Sequence, residues 1–257
     1  MDIHSSTEDG ILTLRLERAA KKNAITAAMY QQLADALKAA QADSAVRAIL
    51  ITGGEQAFSA GNDLEDFLKH PPAGQDAPVF QFLSQISQCG KPIVAAVAGV
   101  AVGIGTTMLM HCDLVYAADN ARFSMPFTQL GLCPEAASSL LLPRLAGYQR
   151  AAEKLLLGEV FDAAEAREMG LVNRVLPVAE LLSFARQQAA RLAALPAASI
   201  RVTKQLMKQH DGDATDAIAA RLADEAGHFA RMLTAPEAKE AFTAFLEKRK
   251  PDFSRFD

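Results

Sequence analysis

The sequence predicts an α/β fold followed by a helical C-terminal region. Up to about residue 135, apolar stretches with the period of a strand alternate with amphipathic stretches of helical period. Beyond that point the chain is alanine-rich and helical in period, including the long stretch 214–247. With 257 residues, half of them hydrophobic, the chain is long enough for one large domain, or for one domain with a helical appendage.

The first elements are a strand, a helix and a second strand. In ILTLRLE (11–17) the leucines alternate, which predicts a strand with one apolar face. Thr26 is placed to cap the amphipathic helix that follows, in which apolar residues recur every four positions. VRAILIT (46–52) is apolar nearly throughout and predicts a buried strand that ends at two glycines.

The middle of the chain repeats this alternation. A helix is predicted over 78–88, and KPIVAAVAG (91–99) predicts another buried strand. AVGIGTTMLMHCD (101–113) predicts a glycine turn into a short helix, and short strands are predicted at LVYAA (114–118) and RFSM (122–125). Strands that alternate with helices in this way predict the α/β class.

Composition excludes several classes of protein. A net charge of −4 argues against a nucleic-acid-binding surface. The polar N-terminus predicts no signal peptide, and no apolar run is long enough to predict a membrane span. Three scattered cysteines predict reduced thiols in a cytoplasmic protein, and the histidine spacing predicts no metal site.

A single carboxylate, Glu135, lies in the apolar stretch LGLCPEAASS (130–139). No lysine or arginine lies within eight residues on either side of it. If this stretch is buried, desolvation raises the pKa of Glu135 and makes it a proton carrier near neutral pH. If it is a surface turn, Glu135 is an ordinary solvated charge.

Two glycine motifs, FSAGNDLEDF (58–67) and AVAGVAVGIGTTM (96–108), could each bring backbone N–H groups close to a ligand oxygen. Spacing alone favours ordinary turns at both places. The second motif lacks the third glycine and the acidic residue of a dinucleotide site, which argues against NAD.

Three further features have a structural interpretation beside a functional one. His111 is expected to be a packed core residue, and Asp113 a structural residue at the start of a strand. The basic tail EKRKPDF (247–253) suits either phosphate groups or the solvated end of a helix. The serines show no G-x-S-x-G motif and no obvious histidine partner.

Taken together, these stretches resemble the crotonase superfamily of enoyl-CoA hydratases and isomerases. The resemblance is carried, in chain order, by ERAAKKNAIT, FSAGNDL, KPIVAAVAGVAVGIG, CDLVYAADNARFSMPF, LGLCPEAASSLLLPRLAG and AFLEKRKPDF. It implies a spiral of ββα units with the acyl-CoA site in residues 1–195, and a helical trimerisation region in residues 196–257. It also implies a homotrimer or a dimer of trimers, an acyl-CoA thioester substrate that includes coenzyme A, and no cofactor or metal.

The resemblance also implies roles for particular residues. By motif matching, the backbone N–H groups of Ala60 and Ile104 would form an oxyanion hole. Thr107 and Phe127 stand where hydratases of the superfamily carry their two catalytic glutamates. Since neither side chain can act as acid or base, a hydratase mechanism of the usual kind is not expected.

Other residues are expected around the substrate. Those expected to bind it are Ser59, Gly61, Asn62, Asp63, Leu64, Thr107 and Phe127. Those expected to bind coenzyme A are Arg18, Lys22, Lys248 and Arg249. Candidates for acyl-chain contacts, with plain core packing as an equal alternative, are Phe67, Leu68, Phe80, Phe82 and Phe127.

GND together with LGLCPEAASS is similar to the peroxisomal-type branch of 3,2-enoyl-CoA isomerases, which implies that Glu135 is the catalytic base. Such an enzyme moves a double bond from C3–C4 to C2–C3 with one carboxylate. The alternatives are another crotonase-type enzyme (a hydrolase, dehalogenase, lyase or atypical hydratase) and a non-catalytic acyl-CoA-binding subunit. RNA binding is disfavoured, because Lys38 is the only lysine of the helix at 26–43. The lack of a peroxisomal C-terminal signal agrees with a cytoplasmic protein.

Overall fold

The computed structural model describes residues 2–69, 71, 72, 74, 76–208 and 214–256. Its strands are β1 (Ile3–Glu8), β2 (Ile11–Leu16), β3 (Ala48–Thr52), β4 (Ala57–Ser59), β5 (Ile93–Val97), β6 (Val100–Val102), β7 (Leu114–Ala118), β8 (Arg122–Ser124), β9 (Phe161–Asp162) and β10 (Arg174–Leu176). Its α-helices are α1 (Ala27–Ala42), α2 (Leu64–Lys69), α3 (Pro78–Ser87), α4 (Ile104–Thr107), α5 (Ser138–Ala146), α6 (Tyr148–Ala152), α7 (Ala163–Glu168), α8 (Val178–Ala194), α9 (Ala197–Lys208), α10 (Ala214–Leu233) and α11 (Pro236–Leu246). Short 3₁₀ turns span Ala19–Lys21, Met108–His111 and Thr128–Leu130, and a π-helical turn spans Glu153–Leu157.

The strands form two sheets, and from β3 to β8 successive strands alternate between them. The larger sheet has the order β1-β2-β3-β5-β7-β10, and the smaller one has the order β4-β6-β8-β9. Apart from the antiparallel pairs β1–β2 and β8–β9, neighbouring strands are parallel. The chain therefore places one strand in each sheet and then crosses over through helical segments, which is a spiral of ββα units. The predicted α/β class is confirmed.

The predicted interior elements lie where the apolar patterns indicated. In β3 and β5 every residue is buried, because both faces of the larger sheet are covered. Helix α1 begins as expected at Thr26, whose side chain accepts a hydrogen bond from the Met29 N–H at 3.3 Å. The glycine turn at 103 leads into the short helix α4 and the following 3₁₀ turn.

Edge strands were missed, and so was the interior strand β6, because the sequence predicted a glycine turn from residue 101 onward. β1 is exposed along its length except at Ile3, so it carries no apolar alternation. The helical period of the chain beyond residue 135 gave no indication of β9 and β10, which contain two and three residues. Strands this short form because a neighbouring strand supplies their hydrogen bonds. They contain too few residues to show the alternation of apolar and polar side chains that identifies a strand in a sequence.

The C-terminal helices pack on the α/β core. Helix α10 contacts α3 and α5, and α11 packs beside the turn Thr128–Leu130. Helix α9 is attached by Lys204, which is buried and lies 2.6 Å from a carboxylate oxygen of Asp113. Asp113 therefore has the structural role expected of it. The division of the chain near residue 195 stays a prediction.

His111 is a buried core residue, as expected. Its Nε2 lies 2.8 Å from the carbonyl oxygen of Ala136. Burial lowers the pKa of His111 to about 4, so the imidazole is neutral at pH 7.

Among the described residues, none of the helices combines the length and apolarity needed to cross a bilayer.

Candidate active site

Three segments that follow parallel strands meet at one edge of the smaller sheet. They follow β4, β6 and β8, whose last residues are Ser59, Val102 and Ser124. Because the carboxyl ends of parallel strands lie at the same edge, the glycine motifs and the Glu135 loop are brought together. Between them and α11 is a cavity of about 850 Å³, lined in part by Asn62, Gly103 and Glu135.

Glu135 is buried at this cavity, with 8% of its surface exposed. Its Oε1 atom has no hydrogen-bond partner within the described part of the chain. Burial, followed by the negative charge of Glu225, raises the pKa of Glu135 to about 8, and a side-chain hydrogen bond with Asn62 partly opposes that rise. The surface-turn interpretation is therefore wrong, and Glu135 is suited to take and return a proton near neutral pH.

The side chain of Asn62 lies between Glu135 and Tyr30. The Tyr30 hydroxyl donates to Asn62 Oδ1 at 2.5 Å, which leaves the amide nitrogen free to donate to Glu135. Tyr30 is fixed in the core against Phe82, with ring centroids 5.6 Å apart. Burial raises the pKa of Tyr30 well above its ordinary value, so it stays a neutral donor.

The backbone donors at the cavity differ from those expected. The Ala60 N–H already donates to the carbonyl oxygen of Lys22 at 2.9 Å, so the expectation that it is a free oxyanion donor is corrected. The N–H groups of Asn62 and Ile104 have no such bond to another described residue. Ile104 is the first residue of α4, where an N–H lacks a partner within its own helix.

Two glycines allow these donor segments to approach one another. Gly61 has φ +90°, and a Cβ atom there would lie 2.9 Å from the Val102 carbonyl oxygen. A Cβ atom at Gly105 would lie 2.7 Å from the Ser59 carbonyl oxygen. Any side chain at either position would separate the segment after β4 from the segment after β6.

Ser59 and Asp63 hold the loop after β4. Ser59 is fully buried, donates to the Asn23 carbonyl and accepts from the Gly61 N–H, so its hydroxyl does not face the cavity. The carboxylate of Asp63 accepts from an Arg18 guanidinium nitrogen at 2.6 Å. Burial alone would raise the pKa of Asp63, but the bonds from the Asp66 N–H and Arg18 bring it below its ordinary value.

The other expected substrate residues are divided between the cavity and the core. Gly61, Leu64, Phe67 and Phe127 line the cavity together with Asn62 and Asp63. Thr107 is fully buried, and its Oγ1 has no hydrogen-bond partner among the described residues. Of the remaining acyl-chain candidates, Phe82 is a core residue, Leu68 is largely exposed, and Phe80 lines a small cavity behind Glu135.

The basic residues at the mouth of the cavity are partly those expected. Arg249 lines the cavity and binds both carboxylate oxygens of Glu240, at 2.6 and 3.0 Å. Lys21 and Lys250 also line it. The cations expected at Arg18, Lys22 and Lys248 do not line it, and Arg18 instead binds Asp63.

Sequence reasoning missed Tyr30 and Glu225. Both are polar residues within amphipathic helices, where nothing in the helical period distinguishes a side chain that reaches a distant loop. Lys21 and Lys250 are each one position away from a predicted residue, Lys22 and Arg249 respectively. Among the described residues, there is no group of three or more His, Cys, Asp or Glu side chains that could hold a metal ion.

The enoyl-CoA hydratase/isomerase family matches residues 6–255 of the chain. The chain belongs to this family. It is 34% identical to 2,3-dehydroadipyl-CoA hydratase of Escherichia coli (strain K12), covering 96% of either chain. It is 37% identical over 219 residues to enoyl-CoA delta isomerase 2 of Rattus norvegicus, covering 83% of this chain and 56% of that protein. The solved structure of Pseudomonas aeruginosa OdaA is 48% identical, with a TM-score of 0.92 over 95% of this chain and 98% of that one.

Membership makes the protein a crotonase-superfamily enzyme that acts on acyl-CoA thioesters. Enzymes of this family need no separate cofactor, because coenzyme A is part of the substrate. The relatives' names include both hydratases and isomerases. Which of these reactions the chain catalyses therefore depends on the side chains of its own site.

Proposed function

We propose that the protein is a 3,2-enoyl-CoA isomerase that moves a double bond from C3–C4 to C2–C3 of the acyl chain. The observation that carries the proposal is Glu135, which is buried at the cavity, has an Oε1 without a partner among the described residues, and has a pKa raised to about 8. Thr107 and Phe127 occupy the positions at which a hydratase would need carboxylates. A reaction that removes one proton and returns it elsewhere on the same substrate needs only one such group.

The reaction begins when the Glu135 carboxylate removes a proton from C2. The electron pair of the C2–H bond moves toward the thioester carbonyl and gives a dienolate, whose negative charge is shared among the thioester oxygen, C2 and C4. The protonated Glu135 then delivers the same proton to C4. When C4 takes up this proton, the carbonyl re-forms and the double bond lies between C2 and C3. Charge and atoms balance without water or a second acid.

The thioester oxygen needs hydrogen-bond donors while it carries the charge. The N–H groups of Asn62 and Ile104 support this role, since both are unpartnered among the described residues and belong to the two segments that Gly61 and Gly105 hold together. Losing one such donor typically costs about 3 kcal/mol of transition-state stabilisation. The apolar surroundings strengthen each of these interactions.

Binding and assembly are part of the proposal. Lys21, Arg249 and Lys250 at the cavity mouth are placed to bind the phosphates of coenzyme A. A homotrimer, or a dimer of trimers, is supported by family membership and by exposed apolar side chains at Tyr148 and Leu156. The cytoplasmic location is proposed from the sequence alone. Light scattering after size-exclusion chromatography tests the assembly.

The test of function is an ultraviolet assay at the absorption band of the conjugated enoyl thioester, with 3-enoyl-CoA esters of several chain lengths. Absorbance should rise with the wild type, and Glu135→Gln should lower the rate about 100- to 10,000-fold. Calorimetry should show nearly unchanged binding of a saturated acyl-CoA. Glu159→Gln, a matched change at an exposed glutamate, should behave as wild type. No rise with any ester, with binding retained, would reject the isomerase and favour another acyl-CoA reaction or a binding subunit.

A further inference from the structure

The chain immediately after Glu135 has an unusual backbone. Ala136 and Ala137 both have positive φ, at 58° and 56°. Alanine rarely adopts this left-handed conformation, because its Cβ atom crowds the backbone. Two consecutive alanines in that region persist only where surrounding contacts hold them there.

The same turn begins α5, and α5 has no side-chain cap of its own. Its cap position is Ala137, which has no side-chain acceptor. The acceptor comes instead from Glu225 on α10, whose carboxylate receives the Ala137 N–H at 2.6 Å and the Ser139 N–H at 3.1 Å. It also receives the Ser139 hydroxyl at 2.5 Å. Glu225 thus replaces a local N-cap from a distant helix.

We infer that Glu225 is a positioning residue, which braces the left-handed Ala136–Ala137 turn and so aims Glu135 into the cavity. His111 holds the other side of the turn through the Ala136 carbonyl. The Glu135 carbonyl is fixed by the Ser138 N–H and hydroxyl, at 3.0 and 2.6 Å. With the backbone bound on both sides of the turn, the direction of the Glu135 side chain depends on this brace.

The brace also has an electrostatic consequence. Glu225 is buried, and burial raises its pKa, but three donors bind its carboxylate. Glu135 has an unpartnered Oε1 among the described residues, so Glu225 ionises first and its charge helps to keep a proton on Glu135.

Other titratable groups near the pair are His111, Tyr30, Cys133, Arg221 and Arg231. Burial keeps the first three neutral at pH 7: it lowers the pKa of His111 to about 4 and raises those of Cys133 and Tyr30, the former to about 11. Arg221 donates to the Ser139 hydroxyl at 3.1 Å and so supports the same brace from α10.

The decisive comparison is Glu225→Gln against Asp224→Asn, which removes the same charge from the neighbouring, exposed position of α10. This part of the inference rests on the proposed isomerase. In Glu225→Gln, kcat should fall about 10- to 100-fold, as expected when a reacting group is displaced by a fraction of an ångström to 1 Å. KM should change less than about twofold, and the acid limb of the kcat profile should move to lower pH. Asp224→Asn should change none of these.

A second pair of measurements asks whether the turn itself is braced. Hydrogen–deuterium exchange of peptides covering residues 133–141 should be faster in Glu225→Gln than in wild type or Asp224→Asn. In the double variant Glu225→Gln/Ala137→Gly, part of the lost kcat should return, because glycine adopts positive φ without crowding. If Glu225→Gln does not fold, Ser139→Ala removes one bond of the brace and should cause a smaller change in the same direction.

The outcomes separate this inference from the proposed function. Unchanged exchange in Glu225→Gln overturns the brace, whatever the enzyme's reaction is. Faster exchange with unchanged kcat and pH profile overturns the positioning role. A wild-type protein without isomerase activity overturns the proposed function, while the exchange measurement still judges the brace.

Discussion

Two carboxylates at the cavity are almost equally buried, yet their pKa values move in opposite directions. Asp63 is 7% exposed and Glu135 is 8% exposed. Desolvation acts on both. The Asp66 N–H and Arg18 bring the pKa of Asp63 below its ordinary value, whereas Glu135 has an unpartnered Oε1 among the described residues and a pKa raised to about 8.

The difference shows what separates a structural carboxylate from a reactive one in this fold. Burial penalises charge in both cases, more strongly at the more deeply enclosed Glu135, and the donors around Asp63 allow that carboxylate to keep its charge. Asp63 stabilises the loop that carries Asn62. Glu135 is bound by Asn62 from that loop, and its raised pKa suits the proton transfer that we propose for it.

The largest expected effect on stability is at Asp63, when its cation is removed. Arg18→Met leaves a buried carboxylate without its ion pair, so the free energy of unfolding should fall by about 3 kcal/mol. Urea denaturation at pH 7 measures this. Arg15→Met is the control, since Arg15 and its partner Glu17 are both exposed and such pairs contribute about 1 kcal/mol or less. Equal losses in the two variants would mean that Asp63 does not depend on Arg18.

The next effect is on Glu135, where removing the ionisable group should stabilise the fold. The folded-state pKa of about 8 lies above the ordinary value of 4.5, so wild-type stability falls as pH rises between them. Glu135→Gln removes that loss. At pH 8.5 it should gain about 1–3 kcal/mol, and its Tm should rise by about 2–4 °C for each kcal/mol.

The advantage of Glu135→Gln should be much smaller at pH 5, where the wild-type carboxyl is already neutral. Thermal unfolding at both pH values, with Glu159→Gln as the exposed control, measures the difference. A Tm gain that is the same at pH 5 and pH 8.5 would show that Glu135 titrates as an ordinary carboxyl group.

The third effect is on rate rather than on stability, and it is the pH dependence of the reaction itself. Glu135 must be ionised to take a proton, so kcat/KM should rise about tenfold per pH unit in acid and level off above about pH 8. The measurement is kcat/KM for a 3-enoyl-CoA ester from pH 5 to pH 9.5. A midpoint near 4.5 would place the base in an environment like that of a solvated carboxylate.

Local sequence patterns predicted the interior of the fold better than its edges. β3 and β5 are buried on both faces, so their side chains had to be apolar and were recognisable. β1 has a single buried residue, and β9 has two residues in all. Their backbone hydrogen bonds come from neighbouring strands, and such bonds do not require any particular side chains, so the sequence shows no strand pattern there.

The site was predicted in part. The apolar surroundings of Glu135 could be predicted from the sequence, because its neighbours along the chain are themselves mostly apolar. The sequence does not show whether Ala60 or Asn62 has the free backbone N–H. That depends on the Lys22 carbonyl, which reaches Ala60 only after the chain has folded.

By itself, the sequence determined the class of fold and the family, and it singled out the carboxylate that we propose carries the proton. Those properties follow from the period of apolar residues and from motifs that are contiguous in the chain. Only the tertiary structure decided which backbone N–H groups are free, which carboxylates are paired, and that Glu225, 88 positions beyond Ala137, caps the turn next to Glu135. The physical reason is that hydrogen bonds between distant segments depend on where the fold brings their atoms, and no local pattern records that placement.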